Sequence, residues 1–333
     1  MTTGVLRNVR IASLGVSLPP AVLTNDEISR SLDTSDEWIR TRTGIRERRI
    51  ASADVAPSDL AAEAGCRALA RLDLDPLEID LVVSASLVPD MVFPATAAVA
   101  AELIGARAAG AFDVQAGCTG FVYALAVGGS AVAAGLARRV LVLGSEVTSR
   151  ALDWEDRATC VLFGDGAGAA VLVRGDAEDS IAFDLGNDGA GMPCLNMPAG
   201  GARMPASEET VRDRQHFLKM NGHEVFRFAL RTVVRSCHGA LGAAGLGIEE
   251  IDLFVPHQAN LRIIDSVAER LGLSPDKIVT TLQELGNTSC ASIPLCLAAA
   301  EGDGRLLTGK RLLLTGFGAG LSWGSCVLTW RPG

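Results

Sequence analysis

Cys118, in the run FDVQAGCTGF, is the best-placed nucleophile in this chain. It follows a strand-like run and precedes a helix-like one. Its thiol is therefore expected beside the unpaired N–H groups and the positive dipole end of a helix, which favour a thiolate at neutral pH. Gly117 and Gly120 flank it and leave room for a substrate to approach the backbone. Of the four histidines, only His257, in FVPHQAN, closes a strong apolar strand, where open α/β sheets place their sites. Asn287, in ELGNTSCAS, precedes a second helix-like run and reads equally as a turn or N-cap residue and as a polar member of the site. The Gly-rich run GFGAGLSWG, 316–324, follows a strand and can present backbone N–H groups to an oxyanion. It is not a dinucleotide fingerprint, because a strand rather than a helix follows, and it is not a P-loop, because no Lys-Ser/Thr pair follows. A thiol, an imidazole, an amide and an oxyanion loop together point to acyl-thioester chemistry.

The elements that must position these residues form an internal repeat. ALARLDLDPLEIDLVV, ending at Val83, resembles ALGAAGLGIEEIDLFV, ending at Val255, and RVLVLG resembles RLLLTG. Asp80 aligns with Asp252 and Arg139 with Arg311, each pair 172 residues apart. The period is too long for a solenoid and indicates two copies of one α/β unit. In the first copy IDLVVSASL, GAFDVQ, RVLVLGSE and AGAAVLV read as strands, and in the second IDLFVPHQ, KIVTT, RLLLTGFG and SCVLTW do. Strands alternating with helices imply largely parallel sheets covered on both faces. The repeat also gives Cys118 a mate, Cys290, so symmetry alone does not choose the nucleophile; the glycine context favours Cys118. The Gly/Pro/Met-rich stretch 186–211 reads as a long excursion between the copies.

Composition sets the boundaries. The 333 residues suit two domains or one large duplicated one. With 48% hydrophobic residues, 5% aromatics and 36 glycines, the core should be aliphatic and tightly packed. A net charge of −9 argues against nucleic-acid binding. No charge occurs from Val114 to Ala137, but QAGCTGFVYALAVGGSAVAAGLA is Gly/Ala-rich and lacks an aromatic belt. A helix buried between two sheets, paired with the run NTSCASIPLCLAAA, is expected there rather than a membrane span. Eight scattered cysteines without zinc spacing, and a start without a signal peptide, suggest reduced thiols in a cytoplasmic protein.

In order along the chain, TSDEWIRTRTGIRERRI, GCTGF, DRATCVLFGDGAGAAVL, VPHQANLRI, GNTSCASIP and GFGAGLSWG resemble the landmarks of β-ketoacyl-acyl-carrier-protein synthase III, from about Val5 to Trp330. The resemblance implies a thiolase-like fold: an internally duplicated α/β unit in a layered αβαβα arrangement with two central buried helices. Residues 1–175 would carry the cysteine and 176–333 the histidine and asparagine. It implies a decarboxylative condensation of an acyl-coenzyme A primer with malonyl-acyl carrier protein through an acyl-Cys intermediate, with no metal or redox cofactor. The catalytic set would be Cys118, His257 and Asn287, and the oxyanion donors the backbone N–H groups of Cys118 and Ala319. At Ala319 the family usually has Gly, so its φ is expected to be negative.

The same resemblance assigns binding residues. Trp38 and Arg157 would sandwich the adenine of coenzyme A, Arg42 would contact a nucleotide phosphate and Asn260 the pantetheine arm. Phe93 would cross a homodimer interface to close the partner's acyl pocket, and Leu321 would line that pocket. Arg227, Arg231 and Arg235 recur at i, i+4 and i+8 and read either as a solvated helix face or, with Arg262, as a docking site for an acidic carrier protein. Three other classes compete. A thiolase-fold acyltransferase or polyketide-priming ketosynthase shares most of these motifs. A papain-like protease orders Cys, His and Asn but lacks the duplication. A non-catalytic subunit would lack the nucleophile.

Overall fold

The computed structural model describes residues 2–333. Two five-stranded sheets dominate it. Their strands, in chain order, are β1 (Thr2–Arg7), β2 (Val9–Ser17), β3 (Leu81–Ala85), β4 (Gly110–Val114), β5 (Arg139–Glu146), β6 (Gly166–Arg174), β7 (Ser180–Asn187), β8 (Leu253–Pro256), β9 (Arg311–Gly318) and β10 (Ser322–Thr329). Seven helices concern the site: α1 (Asp36–Thr43), α2 (Pro57–Ala70), α3 (Thr96–Ile104), α4 (Gly120–Ala133), α5 (Gly222–Ala244), α6 (Leu261–Leu271) and α7 (Ser292–Gly302).

One sheet has the order β2-β6-β5-β3-β4 and the other β1-β7-β10-β9-β8. Shifting β3 by 172 residues gives β8, and β5 gives β9, so the duplication seen in the sequence is a duplication of sheet topology. Each sheet mixes parallel and antiparallel pairs: β3 runs parallel to β4 and β5, whereas β5 and β6 are antiparallel. The two copies differ at one edge. KIVTT, expected as a strand, contributes only an isolated parallel bridge of Ile278 to Phe254, because a turn at Pro275–Lys277 and the short helix Leu282–Leu285 leave it too short to extend the ladder. The N-terminal strand β1 lies in the second sheet, where it pairs antiparallel with β7.

Helices α4 and α7 form the middle layer. The uncharged run predicted to be a buried helix is α4, and its residues Phe121 and Leu125 are fully buried, together with Ile293 and Leu297 of α7. They pack with Val142 of one sheet and Leu314 of the other in a single core. Each such aliphatic side chain contributes about 1.5–3 kcal/mol on burial. Small residues set the layer spacing: a Cβ placed on Gly168 of β6 would lie 2.5 Å from the Pro294 ring of α7. Outside these layers α2 and α3 cover the first sheet, and α5 covers the second with α6 beside it. The order is αβαβα, as expected from the resemblance. The excursion 186–211 starts at the end of β7 and holds a helical turn at Gly189–Cys194, a two-residue strand, Leu195–Asn196, paired with Lys219–Met220, and the start of a short helix, Glu208–Arg212. Leu195 forms part of the wall of the site.

Candidate active site

The loops at the C-terminal ends of β4, β8 and β9 meet over the N-terminus of α4. Gly117 has φ +54°, and a Cβ there would sit 2.6 Å from the Ala319 nitrogen. A Cβ on Gly318 would sit 2.5 Å from the Cys118 nitrogen. Glycine is therefore needed at both positions for the two loops to touch. The contact brings together the backbone N–H groups of Cys118 and Ala319, and neither donates to the backbone of another described residue. Ala319 lies outside the left-handed region, so alanine fits where the family usually carries glycine.

Cys118, His257 and Asn287 line one cavity of about 110 Å3, with Phe317 and Gly318 on its floor. All three are buried. Cys118 precedes the cap of α4, but its thiol is not acidified. Burial pushes it up to about 12, with the nearby Glu146 carboxylate adding to the rise and the Ser289 hydroxyl opposing it. The expected helix-end effect is outweighed because the sulfur has left water. Cys118 therefore rests as a thiol. The thiol of its symmetry mate Cys290 is also held well above its ordinary value, again by burial first, and its Sγ lies 3.1 Å from the Gly117 carbonyl oxygen.

His257 follows β8, and its N–H bonds the Thr315 carbonyl at 2.7 Å. Its ring meets Phe317 edge-on, with centroids 5.6 Å apart. Burial pushes the imidazole down to about 3, so it is neutral at any working pH. Nδ1 lies 2.8 Å from the Ser292 hydroxyl. Asn287 acts as a turn residue and as a member of the site at once. Its carbonyl accepts the Gly164 N–H at 3.0 Å and its own N–H bonds the Leu162 carbonyl at 2.8 Å, fixing the backbone.

Ser289, Ser292 and Glu146 were not singled out in the sequence, although both serines stand in the SCAS run that follows Asn287. Ser289 has φ +46°, and its N–H bonds the Asn287 side chain. Glu146 is fully buried, without a cationic partner among the described residues. Burial raises its carboxyl, and the N–H groups of Leu87 at 2.8 Å and Cys290 at 3.3 Å oppose the rise. Only the residue's place at the end of β5 hinted at a role.

A second cavity, of about 480 Å3, shares Leu195 with the first and is lined by Gly117 and Ala319, the chain neighbours of Cys118 and Gly318. Leu87, Tyr123, Leu195 and Leu218 give it apolar walls. Leu321 does not line it, contrary to the expectation for an acyl-pocket residue. Its side chain turns to the opposite side of the loop, where a Cβ on Gly191 would meet it at 2.5 Å, and there it borders a groove with Arg231. Phe93 is 82% exposed and lines neither cavity of its own chain.

Trp38 is half-buried on α1 with the Arg42 guanidinium 4.5 Å and the Arg157 guanidinium 4.8 Å from its ring centroid. Arg157 also donates to the Asp33 carbonyl at 2.6 Å. The Trp38–Arg157 pair is closed on itself, so a base entering between them must part it. Asn260 lines the catalytic cavity, but its amide is engaged: Oδ1 accepts the Arg262 N–H at 2.9 Å and Nδ2 donates to the Arg42 carbonyl at 3.1 Å. The basic stripe on α5 is exposed but uneven. Arg227 pairs with Glu224 at 3.2 Å, Arg235 lies 4.9 Å from the Trp323 ring centroid, and Arg231 has no ion-pair partner among the described residues. Arg262 is exposed on the first turn of α6.

This geometry has close counterparts. Residues 112–189 match the family model for 3-oxoacyl-[acyl-carrier-protein] synthase III, and residues 241–330 match the model of its C-terminal part. The chain is similar to β-ketoacyl-[acyl-carrier-protein] synthase III of Symbiobacterium thermophilum, with 48% identity covering 98% of this chain and 99% of the relative. It is 47% identical to the same-named protein of Desulfitobacterium hafniense, covering 97% and 98%. The crystal structure of the Thermus thermophilus synthase III superposes with a TM-score of 0.90 at 46% identity, covering 97% of this chain and all of that one. The priming β-ketosynthase of the R1128 polyketide pathway superposes at 0.91 with 38% identity, covering all of this chain and 99% of that one. With a duplicated thiolase fold, a Cys-His-Asn cavity and near-full-length identity of this order, the chain belongs to the β-ketoacyl-[acyl-carrier-protein] synthase III family of acyltransferases, the initiating condensing enzymes of fatty-acid synthesis.

Proposed function

We propose that the chain joins an acyl-coenzyme A primer to malonyl-acyl carrier protein in two half-reactions at Cys118. The convergence of Cys118, His257 and Asn287 on one buried cavity, beside two unengaged backbone N–H groups, carries this reading. In the first half-reaction Cys118 sulfur attacks the thioester carbonyl, and the N–H groups of Cys118 and Ala319 hold the oxyanion. The carbon–sulfur bond to coenzyme A breaks, and the leaving thiolate ends with the proton that Cys118 gave up. In the second, His257 and Asn287 donate to the malonyl thioester carbonyl. Carbon dioxide leaves, the enolate carbon attacks the acyl-Cys carbonyl, and the Cys118 thiolate departs and takes a proton from solvent. The neutral imidazole suits a donor that must not become an acid. No metal or redox group enters this scheme.

The closed pair of Trp38 with Arg157, next to Arg42, is the proposed nucleotide clamp; the Asn260 backbone and cap border the pantetheine path. Arg231 and Arg262, with Arg227 and Arg235, form the proposed docking face for the acidic carrier. The assembly is proposed to be a homodimer. β4 is an edge strand with Phe112 39% exposed, and Met91, Val92 and Phe93 are exposed nearby, which supports an apolar face awaiting a second copy. In such a dimer Phe93 would close the partner's larger cavity. No helix among the described residues is long and apolar enough to cross a membrane. A cytoplasmic setting is proposed on the eight free thiols. Intact-mass measurement after incubation with acyl-coenzyme A, followed by addition of malonyl-carrier, tests the scheme. An acyl adduct on Cys118 that disappears with release of carbon dioxide is expected; an adduct that malonyl-carrier leaves in place would overturn it.

A further inference from the structure

We propose that the primer is a neutral aliphatic acyl group of about six to twelve carbons, and that its chain lies in the cavity of about 480 Å3. This deepens the functional reading above and rests on it. The loops that touch at Gly117 and Ala319 separate two spaces. Gly117 and Ala319 line the larger cavity, while their chain neighbours Cys118 and Gly318 line the smaller one. The N–H groups of Cys118 and Ala319 lie in this partition, so a thioester carbonyl held by them has its sulfur on one side and its carbon chain on the other. The smaller cavity is lined by Asn260, whose Nδ2 bonds the carbonyl of Arg42, beside Trp38. That side takes the coenzyme. The larger cavity is left for the acyl chain.

The lining selects the chemistry of the chain. None of the described residues around this cavity is charged, and Leu87, Val88, Ala151, Leu195 and Leu218 make its walls apolar. Its polar groups are largely occupied by the protein itself. The Tyr123 hydroxyl donates to the Gly186 carbonyl at 2.9 Å, the Ser322 hydroxyl to the Ala116 carbonyl at 2.7 Å and the Asn196 amide to the Met192 carbonyl at 2.9 Å. Gln115 is exposed. Behind Leu87 stands the buried Glu146 carboxyl, which accepts the Leu87 N–H at 2.8 Å and offers an anion no counter-charge. A dicarboxylic primer such as succinyl would bring its carboxylate to a place with nothing to neutralise it. An alkyl chain, by contrast, gains with every methylene it buries. Volume sets the length. A cavity of ~150 Å3 encloses one benzene ring, so 480 Å3 holds about three such six-carbon volumes. In the proposed dimer Phe93 of the partner subunit takes about one of them, and room for roughly a dozen carbons remains. Acetyl would leave nearly all of that space unfilled. Met197 places a flexible thioether in the wall, which adapts to chains of different length.

The test is single-turnover acylation of Cys118 in the unaltered enzyme, read by intact mass, with acetyl-, butanoyl-, hexanoyl-, octanoyl-, dodecanoyl-, hexadecanoyl- and succinyl-coenzyme A. The second-order rate constant is expected to peak between hexanoyl and dodecanoyl. It should be about tenfold to a hundredfold higher for octanoyl than for acetyl, or about twofold per added methylene, since the chain is incompletely buried. Succinyl should fall at least about tenfold below butanoyl. A peak at acetyl, butanoyl or hexadecanoyl, or a succinyl rate that matches butanoyl, would overturn the proposal. Ala151→Phe, which adds a ring to the wall, is expected to move the peak toward shorter chains. Leu218→Trp makes the same test at a second wall position should the first variant not fold. A folded variant whose peak stays in place would overturn the placement of the chain in this cavity. If no coenzyme A ester acylates Cys118, the functional reading itself fails; if acetyl proves the best primer, only this inference fails.

Discussion

The Ser289 N–H donates to Asn287 Oδ1 at 2.9 Å. That bond engages the only acceptor of the Asn287 side chain and leaves its Nδ2 hydrogens as donors. An amide could face a carbonyl substrate either way round; here the turn that follows it selects the useful orientation.

Replacing either donor should separate the two half-reactions. His257→Ala and Asn287→Ala are expected to retain acylation of Cys118 and to lose malonyl decarboxylation by about 10²–10³-fold each, the usual effect of removing one oxyanion donor. Acyl transfer is read by intact mass and decarboxylation by release of labelled carbon dioxide. A variant that is not acylated yet still decarboxylates would reverse the roles.

The two symmetry-related cysteines should behave differently. Cys118→Ser is expected to abolish the acyl adduct. Cys290→Ser is expected to keep it, because Cys290 Sγ bonds the Gly117 carbonyl, and a serine hydroxyl can do the same. Mass spectra of the two variants after exposure to acyl-coenzyme A decide the matter. Loss of the adduct in both would remove the distinction between them.

The pH dependences should also separate. Burial raises the Cys118 thiol to about 12, so at neutral pH the thiolate is a small fraction that grows tenfold per pH unit. The single-turnover acylation rate is expected to climb steadily from pH 7 to beyond 9, without a plateau. His257 is pushed the other way, to about 3, so its neutral form persists as pH falls through 6.5. Decarboxylation by the pre-acylated enzyme is expected to show no step near that pH. A step at 6–7 would mean that the imidazole titrates in water's reach.

Arg231 offers the cleanest test of the basic face, since Arg227 pairs with Glu224 and Arg235 stacks on Trp323. Arg231→Glu is expected to raise KM for malonyl-carrier several-fold and to leave KM for acyl-coenzyme A unchanged. The size follows from exposed pairs worth about 0.2–1 kcal/mol, with added repulsion on reversal. The effect should shrink as salt is raised. Steady-state kinetics at two ionic strengths, varying each substrate, measures it. An equal change for both substrates would return the stripe to a solvated helix face.

Much of this protein was legible in the residues alone. The 172-residue repeat determines two like sheets, and the uncharged Gly/Ala run determines a buried helix, because periodicity and charge are local properties of the chain. Cys118, His257 and Asn287 could be nominated because each closes or opens an element whose end is visible in the sequence. Tertiary structure decided what neighbours do to them. Whether a thiol before a helix is acidified depends on how much water remains around it, and the closure of the Gly117 and Gly318 loops over Cys118 removes that water. Leu321 lies buried away from the larger cavity, beside Gly191, which no residue type specifies. The strand expected at KIVTT shrank to a bridge because the turn at Pro275–Lys277 and the helix Leu282–Leu285 leave it too short. Ser292 could not be read as a partner of His257, because 35 residues of chain separate them and only the packing of α7 against β8 brings the hydroxyl to the ring.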